Sequence, residues 1–484
     1  MPATHTPPRP TAAAPRATAA ARPALALRAA ACALALAVLG LLALLAPTAR
    51  ADERGAARAL ERFRDQPARL LPFLRAMPKG ADLHMHLSGA VYAETLLRFG
   101  AQAGMCADTV TLTALPAPCL PGQRPLRDGL TDNGFQSQLV NAWSMKGFPP
   151  GEPGHDHFFA TFGKFGWALD GRQGDGLATV ARRARSQNVQ YLEVLVTPRS
   201  SDTRALSERV PFTRDFAALR ERMLAAGLRE ILPRARAELD ALVAQERRAD
   251  PSPTPVVRYS VQVSRATPPA RVFAQLLLAF ELMADDPRWV SVNLVQPEDD
   301  VVALRDYGLQ MRMLRYLRSV YRHGHVTLHA GELVPGIAPP ADLRFHIRAA
   351  VEVAGAERIG HGVDVRWERD PVGLAREMAR RDVLVEVPLT SNKQILGVAG
   401  RRHPLRFYLR HHVPVALATD DEGVSRTDLT EQYEQAVLDH GLGYRALKRI
   451  AVDSLRHAFA DRATKERLLR RQRQLFTRFE ARYR

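Results

Sequence analysis

Eight short runs of β-branched and aliphatic residues recur between residues 81 and 419, separated by stretches with helical periodicity. They are ADLHMHL (81–87), YLEVLVT (191–197), VVRYSVQVS (256–264), VSVNLV (290–295), VTLHAG (326–331), RIGHGV (358–363), VLVEVPLT (383–390) and PVALAT (414–419). Strand-length runs that alternate with helices such as DLRFHIRAAVEVAGAE and GLAREMARRD call for parallel pairing through crossovers. Eight of them predict an α/β fold, a (β/α)8 barrel of the TIM type, which 484 residues can accommodate as one domain over 52–484. The first crossover, from about 90 to 190, is far longer than one helix needs. A long insertion after the first strand is therefore expected, at about 101–155. Behind it, HDHFFATFGKFGWAL puts Phe158, Phe162 and Phe165 on one helical face. That face reads as core packing, or as an apolar wall over the barrel mouth.

The first fifty residues have a different character. Residues 1–28 hold arginine and no acid, Ala29–Ala46 is an apolar run, and Ala49 and Ala51 form a small-x-small pair. A basic start, an apolar centre and such a pair predict a signal peptide over 1–51, cut after Ala51. The protein is then exported, periplasmic or secreted. The alternative is an uncleaved N-terminal anchor; cleavage leaves no stable membrane insertion. Removing the leader also removes Cys32 and leaves Cys106 and Cys119, an even number in an oxidising compartment, for which a disulfide is expected.

Net charge is +17, nearly all of it arginine, and is near +12 without the leader. The C-terminal RATKERLLRRQRQLFTRFEARYR is basic, but Leu468, Leu469, Phe476 and Phe479 fall at helical spacing. It reads as an amphipathic helix docked on the domain with a solvated basic face, and no nucleic-acid partner is expected.

Barrel enzymes keep their chemistry at the C-terminal strand ends. There the first run carries His84 and His86, the fifth His329 and Glu332, the sixth His361, and the eighth is followed by Asp420 and Asp421. Three imidazoles and a carboxylate converging from the first, fifth and eighth strands suit a borderline cation such as Zn2+, with a position left open for water.

The segments MPKGADLHMHLSGA, YLEVLVTP, HAGE, RIGHG, EVPLTSN and ATDDEGV, in this order, resemble the adenosine deaminase family of the amidohydrolase superfamily, in particular its secreted, growth-factor-like branch and bacterial relatives. The resemblance runs from about residue 77 to 460. It implies one zinc per chain on His84, His86, His329 and Asp420, with Glu332 protonating the purine ring nitrogen next to the amine-bearing carbon. His361 and Asp421 would orient and deprotonate the attacking water, and Asp421 would also hold a purine nitrogen. The implied partner is a small purine nucleoside, adenosine or 2′-deoxyadenosine, deaminated to the inosine form. Ser88 would lie near the sugar, and Gly331 would let the backbone pass close to the base. The chain departs from the family pattern at Gln296, Asn293 and Ser88, which bears on base and sugar contacts. Two other readings compete: an amidohydrolase acting on a different aminopurine, amide or ester, and a secreted binding protein on an inactive barrel. Two-metal amidohydrolases usually bridge their ions with a modified lysine at the end of the fourth strand, and NLVQPEDD has none.

Overall fold

The computed structural model describes residues 52–149 and 151–484. The expected signal peptide, 1–51, lies outside the described residues. Eight strands follow one another along the chain: β1 (Gly80–His86), β2 (Val189–Val196), β3 (Val256–Ser264), β4 (Trp289–Val295), β5 (His325–Ala330), β6 (Arg358–His361), β7 (Leu384–Val387) and β8 (Val415–Leu417). Each pairs in parallel with the next. The ring closes between β1 and the residue just past β8: Asp420 N–H donates to His84 O at 2.9 Å, and His86 N–H donates to Asp420 O at 3.3 Å. The (β/α)8 barrel expected from the eight runs is thus the fold observed. Every residue of β1, β4 and β7 is buried. Strands covered on both faces do not alternate in polarity, which is why they read as near-continuous apolar runs.

Three runs end two or more residues earlier than the sequence pattern suggests. The seventh was expected to reach Thr390, but β7 stops at Val387 and a helix spans Leu389–Leu396. Pro388 between them has no N–H to give the ladder. The sixth ends at His361, where His361 and Gly362 turn to φ values of 66° and 58°. The eighth ends at Leu417, and Asp420 lies at φ 58°. The shortened strands leave His361 and Asp420 on turns at the barrel rim.

Within β1, Asp82 pairs with Leu192 and Met85 with Val194, so β1 carries one extra residue there. Such a bulge re-aims a side chain, and it falls on Leu83–His84, the start of the His-x-His pair.

The insertion contains an element that the sequence pattern did not reveal, a small antiparallel sheet of Cys106–Asp108, Ala114–Leu115 and Gln123–Pro125. The Cys106–Cys119 disulfide closes it, with the Cα atoms 5.4 Å apart. The helix Gly154–Leu169 follows and buries Phe158 and Phe165 with Phe162 half-buried beside them, packing on the core, while Phe165 also walls the cavity beside Ser88. At the far end of the chain, the helix Arg462–Glu480 buries Leu468, Phe476 and Phe479 and leaves its arginine face exposed, as its periodicity suggested. Among the described residues no helix is long and apolar enough to cross a membrane.

A disulfide across a 13-residue separation contributes up to about 3 kcal/mol by restricting the unfolded chain. Replacing Cys106 and Cys119 together with serine should lower the thermal midpoint and expose residues 105–125 to limited proteolysis, while the far-UV spectrum of the barrel is kept. Unchanged proteolysis and midpoint would show that the small sheet stands without its bridge.

Candidate active site

The strand ends bring the expected ligands to one point. His84 Nε2 lies 3.0 Å from His329 Nε2, and His86 Nε2 lies 3.3 Å and 3.2 Å from the same two atoms. Asp420 Oδ1 is 3.6 Å from His84 Nε2 and 3.3 Å from His86 Nε2. None of these nitrogens can donate to another, because each ring holds its proton at the other end. His84 Nδ1 faces Glu386 Oε2 at 2.7 Å, His86 Nδ1 faces Gln262 Oε1 at 2.9 Å, and His329 Nδ1 faces Asn293 Oδ1 at 2.9 Å. The Asn293 orientation is set independently, because its Oδ1 also accepts the His329 N–H at 2.9 Å; the other end of the Gln262 amide meets Thr197 Oγ1 at 3.1 Å. With the rings neutral, three lone pairs and a carboxylate oxygen point inward, an arrangement that a bound cation would satisfy. Four ligands held tetrahedrally at about 2.0–2.1 Å from one ion are about 3.3 Å apart. The observed spacings bracket that value, so the donor set fits a tetrahedral borderline metal.

Burial, followed by the facing His84, His361 and His86, holds the His329 imidazole well below its ordinary pKa, in the neutral form that a ligand needs. Burial pushes the Glu386 carboxyl up, but Arg358 and His84 override it and keep it ionised. Arg358 Nε sits 2.6 Å from Glu386 Oε1 and its Nη2 is 2.5 Å from Glu193 Oε2. A buried chain of charges thus runs from the barrel core to His84. Gly360 leaves room for that ring, since a Cβ there would lie 2.7 Å from His84 Cε1.

The other expected residues surround the same point. Glu332 is buried, and burial, the Asp420 carboxylate and Glu298 raise its pKa. It follows Gly331, and the Gly331 and Glu332 N–H groups donate to the two Glu298 oxygens at 3.1 and 2.8 Å. Asp421 is buried with Oδ1 unpartnered, and burial, Asp420 and Glu332 push its carboxyl well up against the opposing pull of His86. It packs on Gly89, where a Cβ would fall 1.8 Å from Asp421 Oδ1. His361 is buried, with its Nε2 unpartnered and 3.9 Å from Asp420 Oδ2. Ser391 Oγ donates to that oxygen at 2.7 Å, which turns Oδ1 towards the imidazoles.

The substrate-side expectations fare differently. Ser88 is exposed and lines a cavity of about 800 Å3 with Thr197, Gln262, Trp167 and Leu239. The cavity meets the polar cluster at Gln262, the acceptor of His86. Gly331 lies at φ 76°, and the place of its missing Cβ is taken by Asp364 and Ile347. Packing within the protein accounts for that glycine. Gln296 is exposed at φ 81° and accepts from Ala266 N–H at 3.1 Å. Asn293 braces His329 as described.

Comparison with known proteins gives this geometry a family. A family model described as adenosine deaminase matches residues 177–474, more than half of the chain. The chain belongs to the adenosine deaminase family. The adenosine deaminase of Klebsiella pneumoniae is 36% identical over 148 residues, 30% of this chain and 41% of that protein. The match thus spans about two fifths of that relative's length. Among solved structures, Arabidopsis ADAL complexed with IMP superposes with a TM-score of 0.58 at 19% identity, covering 85% of this chain and 99% of that one. An amidohydrolase from Burkhoderia ambifaria with bound Zn gives 0.56 at 18%, covering 86% and 94%. These two likenesses show the barrel fold that this family member shares.

Sequence reading assigned no role to Glu386, Gln262, Glu298, Ser391 or Arg265. A lone Glu inside the apolar LVEV and a lone Gln inside SVQVS were the available signals, since a strand buried on both faces tolerates such residues only with partners. Exchanging Glu386→Gln should weaken metal binding by about 10–100-fold, read by competition with a chelator, because the partner that aims and charges His84 is lost. Affinity within twofold of the parent would remove Glu386 from the site.

Proposed function

We propose that this family member is a hydrolytic deaminase of purine nucleosides, converting adenosine and 2′-deoxyadenosine to the inosine form and ammonia, with one Zn2+ per chain on His84, His86, His329 and Asp420. The observation that carries the reading is the inward convergence of three imidazole lone pairs and Asp420 Oδ1 beside the buried Glu332 and Asp421. The zinc of the Burkhoderia neighbour supports the choice of metal. When bound, the ion supplies the charge that makes water nucleophilic near neutral pH.

The chain's own residues supply the proton traffic. As the water oxygen bonds to C6, the ring π electrons move to N1, which takes the proton of Glu332. With a bound cation offsetting the burial and neighbouring carboxylates that raise its pKa, ionised Asp421 would accept a proton from the water and return it to the amine, and ammonia leaves as the C6–N bond breaks. The oxygen gives its remaining proton to Glu332, which restores the acid. A carboxyl kept protonated by burial and neighbouring carboxylates suits the first step. The cavity beside Ser88 has the volume for a sugar and opens from the polar cluster.

Purified protein should contain about one zinc per chain, and His329→Ala should lose metal and activity together. Two firmly bound metals, or metal retained in that variant, would contradict the site. Glu332→Gln should keep its zinc and lose about 10²–10⁴-fold in kcat. Rescue by added zinc would instead make Glu332 a brace for His329. Because the Glu332 pKa is raised, its acid form persists through neutrality and is lost as pH rises through that pKa. The parent's kcat should fall on the alkaline side, and the residual rate of Glu332→Gln should lack that fall.

The reading also includes export. The exported protein should begin at Asp52 with Cys106 and Cys119 joined, tested by N-terminal sequencing and non-reducing peptide mapping. A chain that still carries residues 1–51 would favour the anchor.

A further inference from the structure

Asn392 stands between two imidazoles, with its Oδ1 placed 2.8 Å from His361 Nδ1 and its Nδ2 placed 2.8 Å from His403 Nε2. The far side of His403 decides how this chain is protonated. The Leu405 N–H donates to His403 Nδ1 at 3.1 Å, at the start of the helix Leu405–Arg410. A nitrogen that accepts carries no proton, and a neutral imidazole has one. Burial holds the His403 pKa down to about 3, so the ring is neutral. Its proton is therefore on Nε2, pointing at Asn392. The amide end that meets it must be the oxygen, so the two amide ends are exchanged relative to that placement and the NH2 faces His361. Amide oxygen and nitrogen are told apart by such networks, and only this orientation satisfies every member. His361 Nδ1 then accepts, and the proton of that ring is on Nε2.

We propose that Asn392, oriented by His403, is a positioning residue that holds His361 as the Nε2–H tautomer, so that His361 donates a hydrogen bond to the reacting oxygen and does not accept its proton. Two observations agree. Among the described residues His361 Nε2 is buried without a partner, on the side facing Asp420. Glu332 Oε1 lies 3.5 Å from Nδ1, so the acid form of Glu332 faces a lone pair and not a second N–H. The mechanistic half rests on the deaminase reading above, whereas the tautomer stands on the hydrogen-bond chain alone. A proton held on Nε2 also separates His361 from His84, His86 and His329, whose Nε2 atoms are the bare ones. One barrel rim thus holds both tautomers, each set by the partner at Nδ1.

The test exchanges Asn392→Asp in the zinc-loaded enzyme. A carboxylate can only accept, so it pulls the His361 proton to Nδ1 and leaves Nε2 bare. Adenosine turnover should fall about 10²-fold or more in kcat, with KM and zinc content within twofold. If His361 already donated from Nδ1 to an Asn392 oxygen, aspartate would accept the same proton, and kcat would hold or rise; that result overturns the proposal. A second measurement uses the unsubstituted protein labelled with 15N in its histidine rings, the His361 signals being those missing from His361→Gln. Protonation at Nε2 with bare Nδ1 is expected, and the reverse overturns the assignment even if Asn392→Asp fails to fold. A parent enzyme with this tautomer but no turnover of any aminopurine would refute the deaminase reading and leave the hydrogen-bond chain intact.

Discussion

The barrel closes through the backbone of residues whose side chains form the candidate metal centre. His84, His86 and Asp420 exchange the N–H and C=O bonds that join β1 to the end of β8. Ligand geometry is therefore tied to barrel closure, and a displaced ligand would cost sheet hydrogen bonds as well as coordination. Asp420 and His361 occupy left-handed backbone conformations that such residues adopt infrequently, at φ values of 58° and 66°. For Asp420 the cost is met by the two bonds to β1; for His361 the turn continues into Gly362, whose N–H donates to Ala330 O at 3.1 Å.

Behind the ligands lies an unusual quantity of buried charge. Arg358 bridges Glu193 and Glu386, and Arg265 lies beside Glu298, all essentially without exposure. Buried ion pairs contribute little net stability against apolar packing, since desolvation cancels most of the attraction. Their placement is better explained by the site. Glu386 aims His84, Glu298 pins the Gly331–Glu332 turn, and Arg265 Nη2 donates to His329 O at 3.2 Å. Each network reaches His84, His329 or Glu332 in one or two hydrogen bonds.

Much of this was legible in the sequence, for a physical reason. Parallel strands buried on both faces write long apolar runs, so all eight strands could be placed, and polar residues at their C-terminal ends stand out against them. His84, His86, His329, Asp420, Glu332, His361 and Asp421, which the fold gathers at one rim, were singled out that way. What supports them was not, because a supporting residue is a single polar position in an apolar strand with its partner far along the chain. Glu386 touches a histidine 302 residues earlier. Asn392 and His403 lie only 11 residues apart, but what joins them to His361 is a shared amide that no spacing rule encodes. The small disulfide sheet escaped because its strands are only two or three residues long. The bulge at Leu83–His84 is likewise invisible to a period-two reading, which assumes that every residue is paired.

X-ray absorption at the zinc edge of the purified, active protein tests the central claim most directly. The expected spectrum has three imidazole nitrogens and oxygen ligands at about 2.0–2.1 Å, with no sulfur. Sulfur in the coordination shell, fewer than three imidazoles, or full deaminase activity in protein without metal would contradict a centre built from His84, His86, His329 and Asp420.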